Sequence, residues 1–199
     1  WYNILTEVIK MSSIKEDIKC PKCKKKNRIK IISEPTEDMI NSIIDRTFFE
    51  IKCKDCKEKI TLDYPIKIST DKYIIYYTPT NNETIKDKTK VEVKRVCDTY
   101  DDLKEKLLIL SDDVNDIVIE FLKGFYMKQL DEEVRNLTTT IRYNCKLEDK
   151  LVFSLVGANR SIACPLFFYN EILRRSKIKK IKYAIQIDSN NYLKYFKMR

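Results

Sequence analysis

Two Cys-x-x-Cys pairs, Cys20-Pro21-Lys22-Cys23 and Cys53-Lys54-Asp55-Cys56, constrain this chain more than any other feature. Each pair presents two thiolates from one tight turn, and four thiolates satisfy a tetrahedral ion. The spacing predicts two knuckles converging on one metal, with Cys20, Cys23, Cys53 and Cys56 as its ligands. A redox dithiol would need only one pair beside a βαβ unit, a context neither pair has. An iron–sulfur cluster is the remaining alternative to zinc. Catalytic zinc keeps an open position, usually supported by His or a carboxylate, and the chain has no His. The expected cofactor is therefore one structural Zn2+ in a closed site, contributing on the order of 10 kcal/mol to folding.

Zinc knuckles often place Gly just after the second Cys, where φ turns positive. Here Lys24 and Lys57 stand there. Together with Lys22, Lys25 and Lys54, these lysines would offset part of the negative charge of a zinc–tetrathiolate centre. The other cysteines, Cys97, Cys145 and Cys164, lie in apolar surroundings and read as small core residues. Seven cysteines, two Cys-x-x-Cys pairs and no visible export signal point to metal binding in a reducing cytoplasm rather than to disulfides. No apolar run approaches the roughly 18 residues of a membrane helix. Trp1 to Lys10 lacks the basic flank of a signal peptide. Met11-Ser12-Ser13 reads as a translation start, so residues 1–10 are expected to be an upstream extension or the chain a fragment; residues 1–13 are set apart from the first domain as a possible N-terminal extension, in which Ile4, Leu5, Val8 and Ile9 suit a short amphipathic helix.

Arg28 to Ile32 and Phe48 to Lys52 are expected ribs of the zinc hairpins, with helical turns at Glu37 to Asp45 between them. Lys59 to Tyr64 and Lys72 to Thr78 read as further strands of an antiparallel sheet. Pro79 to Lys90 reads as a surface loop and Val91 to Val96 as a strand. Asp98 to Asp101 caps a helix to about Leu110. A long second helix follows Ser111, from Val114 to Val134, with Asp112, Asp113 and Asp116 as first-turn acids suited to the helix dipole. Leu151 to Val156, Ser161 to Phe168 and Lys182 to Ile187 read as strands, and Tyr169 to Ser176 and Asn190 to Lys197 as helices. No internal repeat is read. The fold class is α+β: a zinc-ribbon-like antiparallel β domain (14–96), a helical segment (97–137) and a small C-terminal β-β-α-β-α unit (138–199).

Cys20-Pro21-Lys22-Cys23, Cys53-x-x-Cys56, Leu62-Asp63-Tyr64-Pro65 and the Tyr-rich run Tyr73 to Thr78 occur in an order that resembles the CpXC domain, a bacterial and archaeal family. Tyr100-Asp101-Asp102-Leu103 and Leu110-Ser111-Asp112-Asp113 resemble its helical portion, so the likeness runs over about residues 14–135. The resemblance implies a zinc-ribbon-like structure with the four cysteines as ligands. It implies no activity.

Net charge is +9, yet only nine of the 39 basic residues are Arg, and abundant Lys, Ile and Asn are what an AT-rich coding sequence produces without any binding role. Polarity along the chain is more telling. The last 30 residues hold nine basic and two acidic side chains, whereas residues 101–135 hold five basic and ten acidic. Candidate nucleic-acid contacts are Lys24, Lys25, Lys26 and Arg28 near the first knuckle and Arg174, Arg175, Lys177, Lys179, Lys180 and Lys182 near the C-terminus. With no His and only two glycines there is no phosphate-cradling loop, and no catalytic residue is assigned. The leading expectation is a non-enzymatic module with a protein partner. Nucleic-acid binding is the alternative.

Overall fold

The computed structural model describes residues 13–79 and 84–199, so the amphipathic helix read in residues 1–10 lies outside the described residues. The fold is mixed α+β, as its residue patterns require: among the described residues it has small, mostly antiparallel sheets, five helices and a four-cysteine cluster near the N-terminus. The chain forms two compact units. One comprises Trp1–Leu103 with Tyr183–Ile185, the other Lys104–Lys182 with Gln186–Arg199.

The first unit opens with two short hairpins. Strands β1 (Ile14–Lys19) and β2 (Lys26–Ile31) pair antiparallel, with Ile18 opposite Asn27 and Lys19 opposite Lys26. Strands β3 (Glu50–Lys52) and β4 (Lys59–Thr61) pair the same way, with Ile51 opposite Ile60 and Lys52 opposite Lys59. The hairpins correspond position for position, Ile18-Lys19-Cys20 to Asn27 against Ile51-Lys52-Cys53 to Ile60. This corrects the reading that the chain holds no repeat: the cysteine pairs belong to one hairpin motif used twice. Between them, as the helical spacing of Met39, Ile40, Ile43 and Ile44 requires, a 3-10 turn (Glu37–Met39) leads into α1 (Ile40–Ile44).

Strand β6 (Tyr73–Tyr77) is buried at all five positions, the pattern of a central strand rather than a half-exposed one. It pairs antiparallel with β5 (Ile66–Ser69) and parallel with β7 (Val93–Cys97). The all-antiparallel expectation fails here, because the connection after Tyr77 returns the chain to run beside β6 in its own direction. The described part of that connection is pinned down. Asp87 accepts from Tyr76 Oη and, at 2.6 Å, from the Thr89 N–H, while buried Lys94 Nζ donates to the Asp87 and Thr89 carbonyls at 2.9 and 2.7 Å. Burial opposes ionisation of Asp87, but those hydrogen bonds and the Lys94 charge win and hold its carboxyl well below the usual range. Phe49 anchors the aromatic core, its ring 5.4 Å from Tyr64, 5.8 Å from Tyr77 and 6.2 Å from Tyr100. The strand read at Lys182 to Ile187 reduces to single bridges, Ala184 to Ile85 and Ile185 to Arg95.

Helix α2 (Tyr100–Ser111) starts where Thr99 Oγ1 accepts the Asp102 N–H at 3.2 Å. In the second unit, α3 (Asp116–Gln129) is capped by Asn115, whose Oδ1 accepts from Ile117 and Val118 at 3.1 and 3.2 Å. The long helix expected to Val134 is two helices: the backbone extends at Leu130, and Asp131 caps α4 (Glu132–Leu137) by accepting from Val134 at 2.9 Å. Of the three expected first-turn acids, Asp116 does open the helix, while Asp112 and Asp113 precede it. Asp113 sits at φ 55° before the helix. Asp112 accepts from Tyr143 Oη at 2.6 Å and the Lys146 N–H at 2.8 Å. Asp116 is buried against Lys106 Nζ at 2.8 Å.

Strands β8 (Thr140–Lys146), β9 (Lys150–Val156) and β10 (Arg160–Pro165) form an antiparallel meander in the order β10-β9-β8. Gly157 closes the β9–β10 turn at φ 94°, where a Cβ would fall 2.3 Å from the Leu137 carbonyl oxygen. Pro165 ends β10 and leads into α5 (Leu166–Arg175), so Leu166 to Phe168 are helical rather than extended. The chain closes with β11 (Ser176–Ile178) paired antiparallel to β12 (Phe196–Met198). The helix expected at Asn190 to Lys197 shrinks to the 3-10 turn Tyr192–Lys194.

Candidate metal centre

Each hairpin ends in a knuckle built by the same hydrogen bonds. The Cys20 carbonyl accepts the Lys24 N–H at 3.0 Å, and the Cys20 N–H donates to the Lys25 carbonyl at 2.9 Å. In the second, the Cys53 carbonyl accepts from Lys57 at 3.0 Å, and the Cys53 N–H donates to Glu58 at 2.8 Å. Such a turn needs a left-handed residue, and Lys24 and Lys57 both take φ 61° despite having a Cβ. Both side chains fold back over their own turn: Lys24 Nζ donates to the Pro21 carbonyl at 2.7 Å and Lys57 Nζ to the Lys54 carbonyl at 2.9 Å. That contact replaces the missing glycine's freedom with a charge-assisted hydrogen bond.

The four sulfurs converge, all lying within 4.8 Å of one another. Cys20 Sγ is 3.6 Å from Cys56 Sγ, and Cys23 Sγ is 3.6 Å from Cys53 Sγ. Disulfide sulfurs would be about 2.05 Å apart, whereas metal–sulfur bonds of about 2.3 Å imply tetrahedral edges of roughly 3.8 Å. The cluster therefore suits one metal ion. Cys20 and Cys53, the first cysteine of each knuckle, are fully buried, and Ile60 packs with them; Cys23 and Cys56 are half-buried.

Electrostatics agree with this geometry. The Cys53 thiol is pulled down to about 6, chiefly by the hydrogen bond from the Cys56 backbone and further by the Asn27 side chain. At Cys23 a backbone hydrogen bond from Lys25 acts downward, but burial and the neighbouring Cys56, Cys53 and Cys20 sulfurs outweigh it and push the thiol up to about 12. Four sulfurs this close can all ionise only when a cation shares their charge.

The lysines around the knuckles are placed by charge. Lys22 Nζ reaches Glu58 at 2.9 Å and Lys25 Nζ reaches Asp55 at 2.7 Å, each pair linking one knuckle to the other. Glu58 first, and then the Cys56 and Cys20 sulfurs, raise the pKa of Lys22. Asp55 and then Cys23 and Cys53 do the same for Lys25. Among the remaining basic candidates, Lys26 and Arg28 lie exposed on β2, opposite Lys19 and Asp17. Arg174 and Arg175 both pair with Glu171, Arg174 at 2.8 Å. Lys177, Lys179, Lys180 and Lys182 are exposed on β11 and the segment after it. The two clusters lie in different units.

A residue that the sequence reading passed over completes the centre. Asn27, 2% exposed, donates from Nδ2 to Cys53 Sγ at 3.4 Å and accepts the Lys54 N–H on Oδ1 at 2.8 Å. Its signal lies in the repeat, where Asn27 stands in line with the apolar Ile60.

The model of the CpXC protein family matches residues 18–123, just over half of the chain. The chain belongs to the CpXC family. The CpXC match takes in both knuckles, the three-stranded β5–β6–β7 sheet, α2 and the first half of α3. No curated protein and no solved structure matches the chain.

Proposed function

We propose that this CpXC protein is a non-enzymatic interaction module of the reducing cytoplasm, stiffened by one zinc ion held by Cys20, Cys23, Cys53 and Cys56. The observation that carries the reading is the four-sulfur cage, whose 3.6 Å edges suit a single tetrahedral ion. An iron–sulfur cluster would spread its four cysteines further apart around several irons. With all four positions taken by thiolates, the ion has no place for water or substrate, and its role is architectural. No disulfide joins any of the seven cysteines, which fits a reducing compartment.

Three acids that might otherwise do chemistry are committed to structure. Asp112 holds Tyr143 and Lys146, Asp116 holds Lys106, and Asp87 holds Tyr76 and Lys94. Several charges that raised the nucleic-acid reading face acids instead, Lys25 against Asp55 and Arg174 and Arg175 against Glu171. This favours a protein partner over a polyanion. The deciding experiment is fluorescence anisotropy of the full chain with a mixed-sequence oligonucleotide across a salt series. The expected result is no binding at low salt; affinity that falls steeply with salt establishes phosphate contacts and the nucleic-acid alternative.

A further inference from the structure

We propose that Asn27 is a positioning residue of the metal centre, a clamp that ties the second knuckle to the first through the Cys53 sulfur and sets how tightly the ion is held. This rests on the one-ion reading above.

The two hairpins repeat each other closely enough that their one difference at a buried position stands out. Asn27 pairs with Ile18 in the first and Ile60 with Ile51 in the second, and both side chains are buried beside the cysteines. Ile60 does what such a position ordinarily needs, packing with Cys20 and Cys53. Burying an amide there costs free energy unless its polar atoms are satisfied. Both N–H donors of Asn27 and its amide oxygen find partners. Oδ1 accepts the Lys54 N–H at 2.8 Å, and Nδ2 donates to the Lys25 carbonyl at 3.2 Å and to Cys53 Sγ at 3.4 Å.

The orientation of the amide is dictated by its partners. A backbone N–H can only donate and a carbonyl can only accept, so Oδ1 must face Lys54, and the NH2 must face Lys25 and the sulfur. One side chain on β2 thereby grips the turn of its own knuckle and two consecutive residues, Cys53 and Lys54, of the other. The ion pairs Lys22–Glu58 and Lys25–Asp55 also cross between the knuckles, but they are exposed, and exposed pairs contribute little. A donor on a ligand sulfur also draws charge from it and fixes its direction, and outer partners of this kind typically change metal affinity by about 10- to 100-fold.

The test loads the full chain, wild type and two variants, with Co2+ and follows the thiolate-to-cobalt charge-transfer band and the loss of cobalt to a competing chelator. Asn27→Asp keeps the acceptor for Lys54 but turns a carboxylate oxygen toward the sulfur. Asn27→Leu copies the apolar choice of the second hairpin and keeps the position packed should the aspartate variant fail to fold. Both variants are expected to take up one cobalt with an affinity about 10- to 100-fold below wild type, and with the charge-transfer band moved to longer wavelength as the sulfur loses its N–H. A merely structural role would not move the band. A folded Asn27→Leu protein that matches wild type in band position and affinity overturns the role of Asn27 alone. A wild type that takes up no cobalt overturns the one-ion reading together with it.

Discussion

Glu120 shows how a residue's surroundings, more than its type, decide its behaviour. It is 3% exposed, and one carboxylate oxygen has no hydrogen-bond partner, while the other shares Lys123 with Glu105 at 3.0 and 3.1 Å. Burial raises its pKa, Glu105 adds to the rise, and Lys123 and Lys106 act against it. The folded state therefore holds this proton to higher pH than the unfolded chain does, so the group's contribution to stability declines as pH rises above the ordinary carboxylate value of 4.5. Glu120→Gln removes that decline. Urea denaturation across about pH 4.5 to 7 is expected to show a variant at least as stable as wild type at neutral pH, by up to about 1 kcal/mol. A variant weaker at every pH would mean that the Glu120 charge is needed by Lys123. At this scale the four cysteines are legible from spacing alone. The hydrogen bond from Asn27 to Cys53 is not, because it depends on which strand positions face each other across a hairpin.

Among the elements, those read correctly carry an unbroken local signal. The Tyr-rich run became β6, the helical spacing between the cysteine pairs became α1, and Asp98 to Leu110 became α2 with its first turn at Tyr100. Errors cluster where a period continues across a break. Leu130 and Val134 extend the apolar stripe of α3, but Asp131 with Glu132 and Glu133 behind it is itself a helix start, and that cap decides. Strand β8 is absent from the sequence expectation although Ile141, Tyr143 and Cys145 alternate along it. The parallel pairing of β6 with β7 has no local signature, since a strand's sequence does not state its partner's direction. Caps also carry measurable weight: Asn115→Ala removes the acceptor for two backbone N–H groups at the start of α3 and is expected to cost about 1 kcal/mol. An unchanged urea midpoint would show that Asn115 does not hold that end.

For the whole molecule, the repeated hairpin explains why so small a β region holds its shape. Strands β3 and β4 have three residues each, too few for an isolated hairpin to persist in water. Their apolar cluster is correspondingly small, with Cys20, Cys53 and Ile60 at its centre. A shared ion would give the two hairpins a common anchor that this core cannot supply. The N-terminal hairpins are therefore expected to depend on one ion held by the four cysteines. Native mass spectrometry of the full chain, coupled to hydrogen exchange and repeated on Cys53→Ser, tests that dependence most directly. Wild type is expected to carry the mass of a single zinc, with protected amides in β1 to β4, and the variant to lose both the ion and that protection while α3 and β8 to β10 stay protected. A wild type with four free thiols and no bound ion, or a Cys53→Ser protein that keeps both metal and protection, would contradict it.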